Sequence, residues 1–126
     1  MKKVLIALLL LGCSSVAHAD NWIFLFRGGS SDNYMDSYMG NWWLTNDYNG
    51  DPVVATRIRS VWLRGNVSFV IDYITIKDCK VGYGQVVMTD LRGNPVGAND
   101  FVFGGETGAS IIAETLCGFA KSGSRM

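Results

Sequence analysis

The segment VVATRIRSVWLRGNVSFVIDYITIKDC, residues 53–79, carries the clearest structural pattern in the chain. Apolar and β-branched residues alternate with polar ones on both sides of Arg64-Gly65-Asn66, and glycine and asparagine tolerate the positive φ of tight hairpin turns. We therefore predict two long antiparallel strands folded at this tripeptide. Alternation assigns the side chains to faces of the strands. One side of the first strand carries Val54, Thr56, Ile58, Ser60 and Trp62, and the other side carries Arg57 and Arg59. The second strand carries Val67, Phe69, Ile71 and Tyr73 together on one face.

Shorter strand patterns flank this hairpin. Residues 22–26 form a nearly continuous apolar run that stops at Gly28-Gly29. Residues 83–103 predict a further strand, a turn and a short return strand, whereas residues 33–44 show no decisive period. The tetrapeptide Leu-Arg-Gly-Asn occurs at 63–66 and again at 91–94. We expect both copies to form the same kind of turn.

The C-terminal segment TGASIIAETLCGFAKS, residues 107–122, has the spacing of a helix. Thr107 or Ser110 could serve as its N-cap. The residues at helical spacing are Ile111, Ile112, Thr115, Leu116 and Phe119. The predicted fold class is therefore α+β, an antiparallel β-sheet covered by a C-terminal α-helix.

The N-terminus has the layout of a bacterial export signal. Lys2 and Lys3 precede an apolar run over residues 4–11, followed by small residues. As a helix, this run rises about 12 Å, far less than the roughly 30 Å of a hydrocarbon core. We expect the mature protein to lie outside the cytoplasm, in the periplasm or at the outer membrane or cell surface of a Gram-negative bacterium.

Two processing routes are compatible with the leader. Ala17-His18-Ala19 fits the rule of ordinary signal peptidase, so residues 1–19 would be the signal peptide and residues 20–126 a single domain. Leu10-Leu11-Gly12-Cys13 resembles a lipobox, in which Cys13 would be lipidated and would anchor the protein to a membrane. Leu11 is larger than the residue usual at its position. Both routes stay open.

The cysteines predict one disulfide. The chain has three cysteines, and either route discards Cys13 or consumes it as a thioether. Cys79 and Cys117 remain as an even pair in an oxidising compartment, so we predict that they are bridged and link the terminal helix to the end of a long strand. A metal site is the rival interpretation, but the pair lacks C-x-x-C spacing and histidine partners.

Composition excludes several function classes. The chain carries 11 basic and 11 acidic residues, and loss of Lys2 and Lys3 leaves it slightly acidic with no basic cluster, which argues against nucleic-acid binding. The one histidine, His18, lies in the leader, which excludes Ser-His-Asp and Cys-His catalysis. Asp72 with Asp78, or Asp47 with Asp51, could still form a carboxylate pair. We expect these residues in turns or on solvent faces, and we predict no enzyme, metal or cofactor.

Three aromatic residues form the candidate binding surface. Trp42, Trp43 and Tyr48 could present a platform to a sugar or a partner protein. Adjacent residues on a strand face opposite sides, so one tryptophan would be in the core if the other is outside. The segment Asp47 to Asp51 resembles the start of a calcium loop, but its glycine falls at the fourth position rather than the sixth, which favours a plain turn.

Taken together, these segments resemble the bacterial surface-adhesin protein E family. The resemblance covers most of residues 22–119 and rests on NWIFLF, the step at 34–36, RSVW at 59–62, SFVIDYITIKDC ending in Cys79, and the LCG that contains Cys117. Residues 41–57 depart from the family pattern. The family implies a sheet packed on a helix, a helix-to-strand disulfide, an outer-envelope location, dimerisation, and attachment to host matrix proteins such as vitronectin and laminin.

The leading functional hypothesis is a non-enzymatic envelope protein, adhesin-like, that binds a host or envelope protein through its sheet or aromatic loops. The family offers no catalytic motif, and of its residues only the cysteine pair transfers, onto Cys79 and Cys117. The alternative is a small periplasmic inhibitor or a glycan- or ligand-binding module that uses the Trp42-Trp43 region.

Overall fold

The structure is a computed structural model, and it describes residues 22–123. The predicted signal peptide over residues 1–19 and the predicted lipidation site Cys13 lie outside the described residues. The described part contains six strands and two helices, in the chain order β1 Ile23–Gly29, β2 Tyr34–Asn46, β3 Pro52–Trp62, β4 Val67–Thr75, α1 Ile76–Val81, β5 Tyr83–Thr89, β6 Pro95–Val102 and α2 Gly108–Ser122.

The six strands form one antiparallel sheet in the order of the sequence, from β1 to β6. The sheet is curled, and α2 packs against one of its faces, where it contacts both edge strands as well as β3. We call this the inner face and the opposite one the outer face. The predicted fold class, an antiparallel sheet covered by a C-terminal helix, is confirmed.

Three hairpin turns share one geometry. In the turn after β3, Gly65 N–H donates to the carbonyl of Trp62 over 2.7 Å and Gly65 has a φ of 95°. Gly93 repeats this arrangement after β5, as the duplicated Leu-Arg-Gly-Asn predicts, and Gly50 repeats it after β2. A positive φ at this position favours glycine because glycine has no Cβ. The sequence therefore fixes all three turns through the same residue.

The segment without a decisive period, residues 33–44, forms most of the longest strand, β2. A bulge between Met39 and Trp42 interrupts its pairing with β3, which hides the alternation from a sequence pattern. Thr56 on β3 is fully buried opposite the bulge, and its hydroxyl lies 3.2 Å from the carbonyl oxygen of Gly40 and 2.9 Å from that of Asn41. The single hydroxyl proton can donate to one of these two carbonyls at a time, so Thr56 ties β3 to the irregular part of β2.

Two predicted boundaries are wrong. The first strand does not stop at Gly28-Gly29, since both glycines belong to β1. The second arm of the long hairpin ends at Thr75, so Cys79 lies in the short helix α1 and not on a strand. Thr75 begins this helix by accepting the Asp78 N–H on its hydroxyl over 3.1 Å, and Gly82 ends it in the left-handed conformation.

The inner face holds the core under α2. Thr107 is the N-cap of this helix and accepts the Ser110 N–H over 3.1 Å, as one of the two predicted caps. The residues of the main core cluster are Met39, Val54, Ile58, Ile74, Cys79, Val86, Phe101, Ile112, Ala113, Leu116, Cys117 and Ala120. The predicted disulfide Cys79–Cys117 is confirmed, with its Cα atoms 5.5 Å apart, and it ties α2 to α1 at the end of β4.

The two faces of β4 differ from a simple apolar-inside pattern. Val67, Phe69, Ile71 and Tyr73 do share one face, as predicted, but their partners on β3 place them with Arg57 and Arg59 on the outer face. The inner face of β4 carries Val70, Asp72 and Ile74 instead. β4 therefore has apolar side chains on both faces of the sheet.

Candidate functional site

The outer face carries a row of large side chains across four strands. Phe24 on β1 pairs with Tyr38 on β2, Tyr38 pairs with Arg59 on β3, and Arg59 pairs with Phe69 on β4. Directly opposed residues on one face bring their Cβ atoms to about 5 Å, so the strand register itself assembles this row. Trp22, which precedes β1, packs beside it. We call these five residues the arginine–aromatic cluster.

Arg59 lies at the centre of this cluster. Its Cζ is 4.9 Å from the ring centroid of Trp22 and 4.8 Å from that of Tyr38, which are cation–π distances. The Nε atom of Arg59 is buried and has no hydrogen-bond partner among residues 22–123. The guanidinium is therefore held by ring faces, with a donor left unused.

The surrounding rings fix the shape of the cluster. The Trp22 ring centroid is 6.0 Å from that of Phe69, and the Phe24 ring meets Tyr38 edge-on at 5.6 Å. A Cβ added to Gly40 would lie 3.0 Å from the Trp22 ring, so glycine at that position leaves room for the indole. Phe24 is 54% exposed and Phe69 is 42% exposed. A firm aromatic surface thus faces outward.

An ion pair borders the cluster. Arg27 on β1 donates from Nε to Asp36 Oδ1 over 2.7 Å and from Nη2 to Asp36 Oδ2 over 3.0 Å. The Arg27 Cζ also lies 3.7 Å from the Tyr34 ring centroid. The hydrogen bonds with Arg27 lower the pKa of Asp36 below its ordinary value, and those with Asp36 raise the pKa of Arg27. The Arg27 side chain is 54% exposed, so solvent screens the pair and keeps its contribution to stability small.

A second outer-face feature is a recess of about 270 Å³ walled by Trp43, Tyr48 and Tyr73. The Tyr48 hydroxyl donates to the carbonyl of Gly93 over 3.0 Å, which joins the turn after β2 to the turn after β5. Desolvation raises the pKa of Tyr73, and the nearby charges of Asp47 and Tyr48 raise it further. We call this the tyrosine recess.

The structure divides the three predicted surface residues. Trp43, 38% exposed, and Tyr48, 79% exposed, meet at the tyrosine recess. Trp42 points to the inner face, where its ring stacks parallel on Phe119 of α2 with centroids 6.3 Å apart. One tryptophan is therefore packed on the core and the other is on the outside, as strand alternation predicts.

The four aspartates that could have formed carboxylate pairs are in different environments. Asp47 Oδ1 accepts the backbone N–H of Asn49 and of Asp51, both over 2.9 Å, so Asp47 shapes its turn. Asp78 Oδ2 accepts the Gln85 N–H over 3.3 Å. Asp72 was expected at the solvent, and this expectation is wrong, because its side chain is buried on the inner face and burial raises its pKa to about 7.

Sequence reasoning missed the arginine–aromatic cluster and the burial of Asp72. Asp72 lies two residues from both Val70 and Ile74, so strict alternation along β4 could have placed it on the inner face. No sequence pattern indicates the arginine–aromatic cluster, because its residues meet only through the pairing register of four strands.

Comparison with known proteins gives no relative. No protein-family model, no curated protein and no solved structure matches this chain. Membership in the surface-adhesin protein E family therefore stays a prediction. Within residues 22–123, no helix is long and apolar enough to cross a membrane, and no group of three or more histidine, cysteine or acidic side chains is arranged to hold a metal.

Proposed function

We propose that this chain is an exported, non-enzymatic protein of the bacterial cell envelope that binds a protein partner through its outer face. The arginine–aromatic cluster carries this proposal. Interface residues that contribute most to affinity are enriched in tryptophan, tyrosine and arginine, and the cluster presents all three on the face that α2 leaves uncovered.

The packing of the cluster suits a binding surface. Arg59 and Trp22 already hold one another in place, so little side-chain entropy would be lost when a partner covers them. Exposed Phe24 and Phe69 provide apolar area on either side.

The location and partner class rest on further support. The Cys79–Cys117 bridge suits an oxidising compartment, which agrees with the predicted export signal. The resemblance to surface-adhesin proteins favours a host matrix protein, such as vitronectin or laminin, as the partner. Lipid anchoring at Cys13 and homodimer formation remain part of the proposal.

Solid-phase binding of the purified mature domain, residues 20–126, to immobilised vitronectin and laminin tests the proposal. We expect saturable binding that the double substitution Phe24→Ala/Phe69→Ala weakens about tenfold or more, because it removes the exposed rings and leaves the core untouched. Val81→Ala is the matched control, since Val81 is also 54% exposed but lies in α1. The adhesin-like function is wrong if the wild type shows no saturable binding, or if Val81→Ala weakens binding as much as the double substitution does.

The tyrosine recess favours a second candidate, a glycan-binding module. Aromatic side chains around a shallow recess can stack on the apolar face of a sugar ring, and Trp43, Tyr48 and Tyr73 surround such a space. A glycan array probed with wild type and with Trp43→Ala separates the candidates. If Trp43→Ala abolishes glycan binding and the wild type does not bind matrix proteins, the partner is a sugar and not a protein.

A further inference from the structure

A cavity of about 640 Å³ lies on the inner face, beside the first turn of α2. The helix covers only the part of the inner face that contains the core cluster, and Thr107, Gly108 and Ala109 close one side of the uncovered part. Sites for small molecules have volumes of roughly 300 to 1,000 Å³. This cavity is on the opposite side of the sheet from the arginine–aromatic cluster and the tyrosine recess.

Most of the cavity wall is apolar. A few hydroxyl and amide groups, including Ser37, Ser60 and Asn99, are placed among hydrophobic side chains. The hydrophobic lining residues are Phe26, Met35, Ile58, Trp62, Val70, Val86, Met88, Ala109 and Ile112. This composition is typical of a pocket that encloses an apolar body and orients it with a few polar contacts.

Asp72 is the exception in this wall. Its side chain is only 3% exposed, and its Oδ1 atom is buried without a hydrogen-bond partner among the described residues. Its neighbours across the ladder are Thr56 and Met88. The Thr56 hydroxyl contacts the carbonyls of the β2 bulge, and methionine has no N–H or O–H in its side chain. The carboxyl group therefore lacks a donor from either neighbour.

No basic side chain balances Asp72 in the cavity. Among the described lining residues, which come from all the strands and from the start of α2, none is lysine, arginine or histidine. The other ionisable one is Asp100 on β6, whose Oδ1 accepts a hydrogen bond from Gln85 Nε2 over 3.2 Å. A buried carboxyl group in an apolar wall is costly unless a cation or a hydrogen-bond donor meets it. Burial accordingly raises the pKa of Asp72 to about 7.

We propose that this cavity binds a small apolar molecule carrying a protonated amine, with the ammonium group on the Asp72 carboxylate and the apolar body between Trp62, Val70 and Met88. The charge of the ligand follows from the unpartnered carboxylate, and its apolar body follows from the wall. The size follows from the volume, which admits a bicyclic ring system with a short side chain. Asp72 is the residue that selects the amine.

The first turn of α2 would favour the opposite charge. The N-terminal end of a helix carries a partial positive charge and can attract anions. Here Thr107 already accepts the Ser110 N–H and thereby occupies part of that end. The unpartnered Asp72 carboxylate is therefore the charge that decides between an amine and an anion.

Three indole compounds that differ in one functional group test the proposal. Tryptamine carries an amine, tryptophol a hydroxyl and indoleacetate a carboxylate, so their apolar parts are matched. Each is titrated into the isotope-labelled mature domain at about pH 8, above the pKa of Asp72, and binding is followed by NMR shifts of the cavity residues. We expect tryptamine to bind about tenfold tighter than tryptophol, with indoleacetate weakest. Equal or reversed affinities, or no shifts at millimolar tryptamine, would overturn the proposal.

Two matched variants locate the effect. Asp72→Asn keeps the shape of the side chain but removes its charge, and we expect it to abolish the preference for tryptamine over tryptophol. Asp100→Asn makes the same change at a carboxylate that bonds Gln85 away from the cavity interior, and we expect it to bind tryptamine like the wild type. Retained preference in Asp72→Asn would contradict the proposal. The wild-type comparison of the three compounds decides the matter even if one variant folds poorly.

Discussion

The inner and outer faces of the sheet are built from similar residues and do different things. On β4 the outer set, Val67, Phe69, Ile71 and Tyr73, is more apolar than the inner set, which contains Asp72. The inner face is nevertheless the one that α2 and the disulfide cover. On β4, unlike on β3, hydrophobic character therefore does not indicate which face becomes the core. The covering helix does, and the aromatic groups left outside are available for binding.

The largest expected effect concerns the covalent link that holds α2 to the inner face. Replacing both Cys79 and Cys117 by serine should lower the free energy of unfolding by about 3 to 4 kcal/mol, because the bridge closes a loop across a sequence separation of 38 residues in the unfolded chain. Urea denaturation of wild type and double variant measures the difference. An unchanged midpoint would mean that the helix is held by packing alone.

Truncation of the core on the inner face should cost nearly as much. Leu116 on α2 is fully buried, so Leu116→Ala should lower the free energy of unfolding by about 3 kcal/mol through lost burial and the cavity it leaves. On the outer face, Phe69→Ala removes a larger side chain but should cost less than about 1 kcal/mol, because Phe69 is 42% exposed. If both substitutions lower the free energy of unfolding equally, the outer-face side chains contribute to stability as much as the core does.

Asp72 should act against stability within the inner face. Its pKa is raised in the folded state, so the folded protein binds more protons than the unfolded chain between about pH 4 and about pH 7. Stability should therefore fall as the pH rises through this window and level off above about pH 7. Asp72→Asn should flatten this dependence and raise the free energy of unfolding by about 2 kcal/mol at about pH 8.

The measurement is urea denaturation at a series of pH values, with Asp100→Asn as the control. Asp100 is exposed, so its substitution should leave the pH dependence in place. A wild-type stability that rises over the same window would contradict the burial of Asp72. A stabilised Asp72→Asn variant that no longer selects amines would show that stability is given up for a binding site.

The smallest expected effect on stability is at the ion pair beside the cluster. Arg27→Ala should leave the free energy of unfolding nearly unchanged, because the Arg27 side chain is 54% exposed and solvent screens its pair with Asp36. Urea denaturation at low and high salt checks this prediction. A large loss that salt does not reduce would mean that Arg27 contributes through its packing on Tyr34.

The sequence predicts the features that depend on local chemistry. The turn at Gly65, an N-cap at Thr107 or Ser110 and the disulfide follow from residue types and from the expected compartment. The bulge in β2 exchanges the faces of the strand, and its local signal was Gly40, because glycine within a strand often marks a bulge. The helix α1 had local signals in Thr75 and Gly82 that the strong strand pattern before it outweighed.

The candidate sites depend on contacts between distant residues. Trp43 and Tyr48 could be identified as surface aromatics, but their meeting with Tyr73 depends on the pairing of β2, β3 and β4. Strand alternation placed Arg59 on the correct face but gave no signal of its cation–π role, since its partners come from Trp22 and from β2. Long-range register, rather than composition, creates both outer-face features.

The four tryptophans allow one measurement to test the division of the two faces directly. Trp22 and Trp43 are on the outer face, whereas Trp42 and Trp62 are on the inner face. The indole N–H signals are followed by NMR while vitronectin or laminin is added to the labelled mature domain. The proposed function predicts that the signals of Trp22 and Trp43 shift or broaden while those of Trp42 and Trp62 stay in place. Changes confined to Trp42 and Trp62 would contradict it.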